Sequence, residues 1–166
     1  MAAGQAYTPI ATTTTSGNAA SYTFSSISSA YTDLVIIVSG GAATAVDLSV
    51  RFNDDTGSNY SVTRLTLDNL TAVSRRTTSA TSLVVSDGGY ISTTLGATNQ
   101  IINIINYANT TIYKPIICRT NRAAGGLDGT VGLWQSTAAI TSIILFPGSS
   151  TFADGTTLSL YGIAAA

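Results

Sequence analysis

Val46-Asp47-Leu48-Ser49-Val50-Arg51-Phe52 alternates apolar and polar side chains with a period of two, the pattern of a strand with one face in a core and the other outside it. Short β-branched runs of the same kind, separated by Gly, Asn, Asp and Ser, recur on both sides at residues 21–24, 34–39, 60–67, 83–86, 101–106, 112–119, 131–134, 140–146 and 157–163. No convincing helix separates them. About eight to ten strands following one another without crossover helices predict an all-β fold, an antiparallel β-sandwich that is jelly-roll-like. Pro115 falls inside one of these runs and predicts an edge or a bulge there.

The stretch before residue 19 reads differently. Its centre, Ala11-Thr12-Thr13-Thr14-Thr15-Ser16-Gly17, is polar and repetitive, with little to bury. Residues 1–18 are therefore expected to be an extended, flexible N-terminal arm and residues 19–166 a single domain. A chain of 166 residues suits one core.

Composition narrows the chemistry before any motif is read. The chain has no histidine and no glutamate, one lysine (Lys114) and one cysteine (Cys118). Proton shuttles, metal cages and activated nucleophiles are built mostly from the side chains missing here. The expectation is no enzyme, no catalytic residues, no cofactor and no metal. Net charge is −1, with seven basic residues against eight acidic ones, so no long-range field gathers phosphates or anionic lipid. Neither nucleic acid nor membrane is an expected partner. Charged residues are only 9% of the chain and mean hydropathy is +0.32. Such an exterior lacks the repulsion that keeps copies apart and favours a homo-oligomer. The N-terminal residues carry neither the basic nor the apolar segment of a secretory signal, which predicts synthesis in a cytosol.

Four constellations could carry chemistry, and each has a structural alternative. Asp55-Thr56-Gly57 matches the active-site triplet of aspartic proteases, yet it follows Asn53-Asp54 rather than a hydrophobic strand and reads better as a hairpin turn. Asn53, Asp54, Asp55 and Asn59 offer clustered hard oxygens for calcium, without the closing glutamate of a calcium loop. Arg51, Arg64, Arg75, Arg76, Arg119 and Arg122 could bind an anion, but fit inter-subunit pairing better. Tyr60, Tyr90, Tyr107, Tyr113 and Trp134 could form a sugar platform, although such residues on amphipathic strands are usually core or interface. Cys118, within Ile116-Ile117-Cys118-Arg119, reads as a buried structural thiol.

The C-terminal third adds a resemblance. Residues Trp134 to Pro147, with Ile140-Thr141-Ser142-Ile143-Ile144-Leu145-Phe146-Pro147 at their end, lead into Phe152-Ala153-Asp154-Gly155 and a last run Leu158-Ser159-Leu160-Tyr161-Gly162-Ile163. Upstream stand Arg51-Phe52-Asn53-Asp54-Asp55-Thr56-Gly57-Ser58-Asn59-Tyr60 and Ile105-Asn106-Tyr107-Ala108-Asn109. Together these resemble a module of tailed-bacteriophage virion proteins, a resemblance that covers most of the chain from about Ser21 to Ile163. The resemblance implies a jelly-roll-like domain, usually trimeric, serving as a capsid decoration or cement protein, a head fibre or part of a tail appendage. The decoration role is expected, with the major capsid protein or another virion protein as partner and the capsid surface as location. The alternative is a tail fibre or tail-appendage module binding a host receptor or glycan. The family implies no catalytic residues.

Overall fold

The computed structural model describes residues 6–68, 71–87 and 91–164. Among them are twelve strands and no helix, two more strands than the upper sequence expectation. Eight form one antiparallel sheet, in the spatial order β1 (Thr8–Thr14), β12 (Thr157–Ile163), β3 (Asp33–Gly40), β8 (Thr98–Ile104), β9 (Lys114–Arg122), β10 (Gly126–Trp134), β5 (Tyr60–Asp68) and β6 (Thr71–Ala80). Four short strands form the second sheet, in the order β2 (Tyr22–Phe24), β11 (Ile143–Phe146), β4 (Ser49–Phe52) and β7 (Leu83–Val84). The chain is an antiparallel β-sandwich of jelly-roll-like kind.

The alternation at residues 46–52 does what its period dictates. Leu48, Val50 and Phe52 are fully buried, and β4 pairs with β11 from Phe52↔Ile143 to Ser49↔Phe146. Regular pairing covers only Ser49–Phe52, because Val46 meets Ile91 through an isolated bridge. From the long sheet, β3 contributes Leu34, Ile36 and Val38, β8 contributes Ile102 and Ile104, and β12 contributes Leu158 and Leu160 to the same core. Each fully buried aliphatic or aromatic side chain of this kind contributes roughly 1.5–3 kcal/mol. Phe52, Tyr60 and Trp134 close one end as an aromatic cluster, with ring centroids 5.6–6.4 Å apart.

The expected flexible arm, residues 1–18, needs correction over most of its length. Thr8–Thr14 is an edge strand, paired with β12 from Thr8↔Gly162 to Thr14↔Thr157. The threonines that looked like low complexity are β-branched residues suited to a strand. Ile10 and Ala11 pack against the core, and Thr15 is buried, its hydroxyl donating to the Ala153 carbonyl at 2.6 Å. Residues 1–5 lie outside the described residues. Pro115 also departs from expectation, since β9 is a central strand between β8 and β10. Its carbonyl accepts from Ile105 N at 3.1 Å, beyond the last residue of β8, and its missing N–H points the same way. No ladder bond of β8 is lost.

Candidate functional site

The turn between β4 and β5 carries the chain from one sheet to the other and contains the protease-like triplet. Asn53 and Asp54 both take positive φ, 51° and 54°, a conformation Asn and Asp tolerate better than most residues. Asn53 Oδ1 accepts from Thr141 N at 2.8 Å and Ser142 N at 3.1 Å, while its Nδ2 donates to the Ala139 carbonyl at 2.7 Å. The Asp55 carboxylate accepts from Gly57 N at 2.8 Å, Asn59 Nδ2 at 3.0 Å and Trp134 Nε1 at 2.7 Å. The Tyr60 hydroxyl accepts from Phe52 N at 3.1 Å and donates to the Asp55 carbonyl at 3.1 Å. Burial raises the Asp55 carboxyl, but the hydrogen bonds from Trp134, Asn59 and Gly57, with the Arg51 charge, outweigh it and hold the group below its usual range. Burial pushes Tyr60 up to about 12. The oxygens proposed for calcium on Asn53 and Asp55 thus serve the turn itself. Among the described residues no cluster of three metal-ligating side chains occurs.

The other sequence candidates disperse. Tyr60, Tyr107 and Trp134 are core residues, Tyr113 is exposed, and Tyr90 lies outside the described residues. They form no sugar platform among the described residues. Of the six arginines, Arg64 and Arg75 converge on Asp87, the second as a close ion pair and the first at 3.9 Å. Arg51 instead lies over the Phe146 ring, 5.1 Å from its centroid. Cys118 is buried, and burial together with Asp128 raises its thiol well above the ordinary range. Lys114, also buried, donates to the carbonyls of Ile112, Ser136 and Thr137 at 2.8–3.4 Å; burial lowers its ammonium.

What sequence reasoning missed lies on β10 and the second half of β5, where polar side chains face inward and apolar ones outward. On β10 the inward residues are Asp128, Thr130, Gly132 and Trp134, whereas Leu127 and Val131 point outward. On β5, Thr66 is buried and Leu65 and Leu67 are exposed. The inward polar groups form a row across four strands, Gln100↔Thr120↔Asp128↔Thr66. Asp128 accepts from the hydroxyls of Thr66 at 2.6 Å and Thr120 at 2.8 Å and from Asp87 N at 2.8 Å. Those bonds satisfy a carboxylate that would otherwise be costly to bury.

The register that turns this polar row inward turns an apolar set outward. Leu65 is 59% exposed, Val131 56%, Ile117 51% and Leu127 48%. By cross-strand pairing Val131 lies beside Ile117, and Leu127 beside Leu67. Ile117 and Leu127 line a groove of about 580 Å³ together with Tyr7, Ile37, Ile101 and Gly129, and Val131 and Leu65 stand beside it, paired with Ile117 and Gly129. Isolated exposed hydrophobes are ordinary, but a contiguous patch over several strands marks a contact surface. The candidate site is therefore the outer face of the long sheet.

No family model matches the chain, and no curated protein matches it. Among solved structures, it is similar to a human SPRY domain at 9% identity, over 95% of both chains, with a TM-score of 0.35. It is also similar to a galectin of Caenorhabditis elegans at 9% identity, over 95% of this chain and 91% of that one, with a TM-score of 0.30. A third similarity is to a marine alginate lyase from Aplysia kurodai, at 10% identity over 84% of this chain and 72% of that one, with a TM-score of 0.32.

Proposed function

We propose that this chain is a structural protein of a bacteriophage virion, a capsid decoration or cement subunit that assembles as a homotrimer and stabilises the major capsid shell. The observation that carries the reading is the outer face of the long sheet, where Leu65, Ile117, Leu127 and Val131 stand exposed together. A low-charge surface of this kind gains free energy from contact with other protein and offers little for solution chemistry. The side-chain inventory supports the same reading, since histidine and glutamate are absent. So does the work done by the residues behind the phage resemblance. Asn53, Asp55, Asn59 and Tyr60 hydrogen-bond within the fold, as expected of a motif that specifies architecture.

The mechanism is mechanical. A cement subunit adds contact area across neighbouring capsomers, and threefold repetition converts weak individual contacts into strong attachment through effective concentration. Assembly takes place in the bacterial host cytoplasm, and the mature location is the capsid surface. The test is co-sedimentation of the purified chain with capsids lacking it. Saturable binding, together with a rise in the temperature at which those capsids release their genome, supports the reading. Failure to bind capsids, with binding instead to host-surface polysaccharide, replaces it with the tail-appendage alternative.

A further inference from the structure

Glycines inside strands weaken them, and often mark a bulge, a bend or a place where something approaches the backbone closely. For three of them the neighbour is within the chain. A Cβ on Gly132 would stand 2.9 Å from a Leu83 methyl, one on Gly162 would run into the Tyr31 ring, and one on Gly40 would collide with Thr156. Gly129 is different: a Cβ there meets nothing within 4 Å. It lies in the middle of β10, pairing with Leu65 on one side and Arg119 on the other, and contributes to the floor of the outer-face groove. The side chain of Arg119 makes no hydrogen bond or ion pair among the described residues. The fold itself therefore supplies no neighbour that requires a glycine at this position.

We infer that the outer face of the long sheet is the contact between copies of this chain, with Gly129 as the socket in which an exposed side chain of a second copy seats. The inference rests on the self-associating virion subunit proposed above and names the surface that does the associating. Area favours a second copy. Eight strands of seven to ten residues, at about 4.8 Å spacing and about 3.3 Å rise, span roughly 1,000 Å², enough for the ~800 Å² per partner of a standard stable interface. Charge permits it, because a net charge of −1 gives copies little mutual repulsion. Composition fits as well: an apolar centre with an unpaired arginine is a common interface makeup.

The edges of the sheet are poorer candidates for self-pairing. Across a twofold axis at its centre, an antiparallel β6 pair would set Arg75 against Arg76, a like-charge contact that costs stability. At the other edge, β1 carries Pro9 and a register irregularity between Pro9 and Ala11, features that discourage strand addition.

The test is native mass spectrometry and light scattering of the full chain, compared with Val131→Lys, Gly129→Gln and, as a control away from the face, Thr56→Lys. The wild type and Thr56→Lys are expected at a multiple of the 17.0 kDa monomer. Both face variants should weaken self-association by roughly 100-fold or more, with melting curves that stay cooperative and near the wild type. Because Gly129 has open space above it, its variant folds even if a charge at position 131 proves disruptive. Oligomers that persist in both face variants overturn this interface while leaving self-association intact. A wild-type chain that is monomeric throughout overturns both.

Discussion

Trp134 Nε1 donates to the Asp55 carboxylate at 2.7 Å, tying the last residue of β10 in the long sheet to the turn by which the chain leaves the small one. The bond fixes the angle of that crossover, and with it the aromatic cluster of Phe52, Tyr60 and Trp134. Asp55→Ala removes this bond together with those from Gly57 and Asn59. A hydrogen bond to a charged group contributes ~1.5–3 kcal/mol, and partial exposure places this set near the lower end. Urea denaturation of Asp55→Ala, Trp134→Phe and the double variant should give losses that are not additive. Additive losses would show that the two residues act independently. Because the folded pKa of Asp55 is depressed, its contribution is present above the ordinary value of 3.8 and lost as pH falls through the folded value. The acid limb of the stability profile should therefore be shallower in Asp55→Ala.

Asp47 carries the opposite sign. Burial, with Asp87 and Asp128 nearby, raises its carboxyl to about 6, while Arg64 and Arg75 pull it down only in part. A raised folded pKa gives a contribution fully present below the unfolded value of 3.8 and lost as pH rises through about 6. Asp47→Asn should therefore be more stable than the wild type at about pH 8, by on the order of 1–2 kcal/mol after allowance for solvent screening, with the difference closing near pH 4. Urea midpoints at the two pH values measure it. An unchanged difference between them would show that Asp47 does not titrate in this range.

Removal of residues 1–14 deletes β1 and bares the β12 edge. Ile10 and Ala11 lose their contact with the core, as do the ladder bonds from Thr8↔Gly162 to Thr14↔Thr157. The truncated chain should lose about 2–4 kcal/mol, several degrees in Tm for a domain of this size, and aggregate more readily through its new edge. Calorimetry that finds Tm unchanged would restore the picture of a free arm.

Cys118 should be inert in the folded protein. Its thiol is buried and raised by burial and by Asp128, so little thiolate is present and access is closed. Alkylation with iodoacetamide is expected only after urea unfolding. Rapid labelling of the native chain would indicate local opening of β9.

The all-β class and ten of the strands were legible, some because apolar and polar residues alternate, as at Leu48, Val50 and Phe52, and others as short β-branched runs such as Leu34-Val35-Ile36-Ile37-Val38. The two that were not, β1 and β6, are the outermost strands of the long sheet. Thr71–Ala80 is exposed along almost its whole length, so neither face selects apolar residues and no alternation is written into it. The candidate site was hidden for a related reason. Alternation reveals that a strand has two faces but not which one is buried, and the ordinary assumption sends Leu127 and Val131 inward and Asp128 and Thr130 outward. Trp134 fixes the parity the other way, since it is buried and sits an even number of residues from Asp128 and Thr130. The hydroxyls of Thr66 and Thr120 make that parity tolerable by bonding Asp128. These partners are remote in sequence and come together only through sheet register.

Quantitative mass spectrometry of purified particles, giving copies of this chain relative to the major capsid protein, decides whether the chain decorates a capsid as proposed. A decoration subunit should be present at a ratio near one copy per shell subunit. Only a few copies per particle, or none, would contradict it.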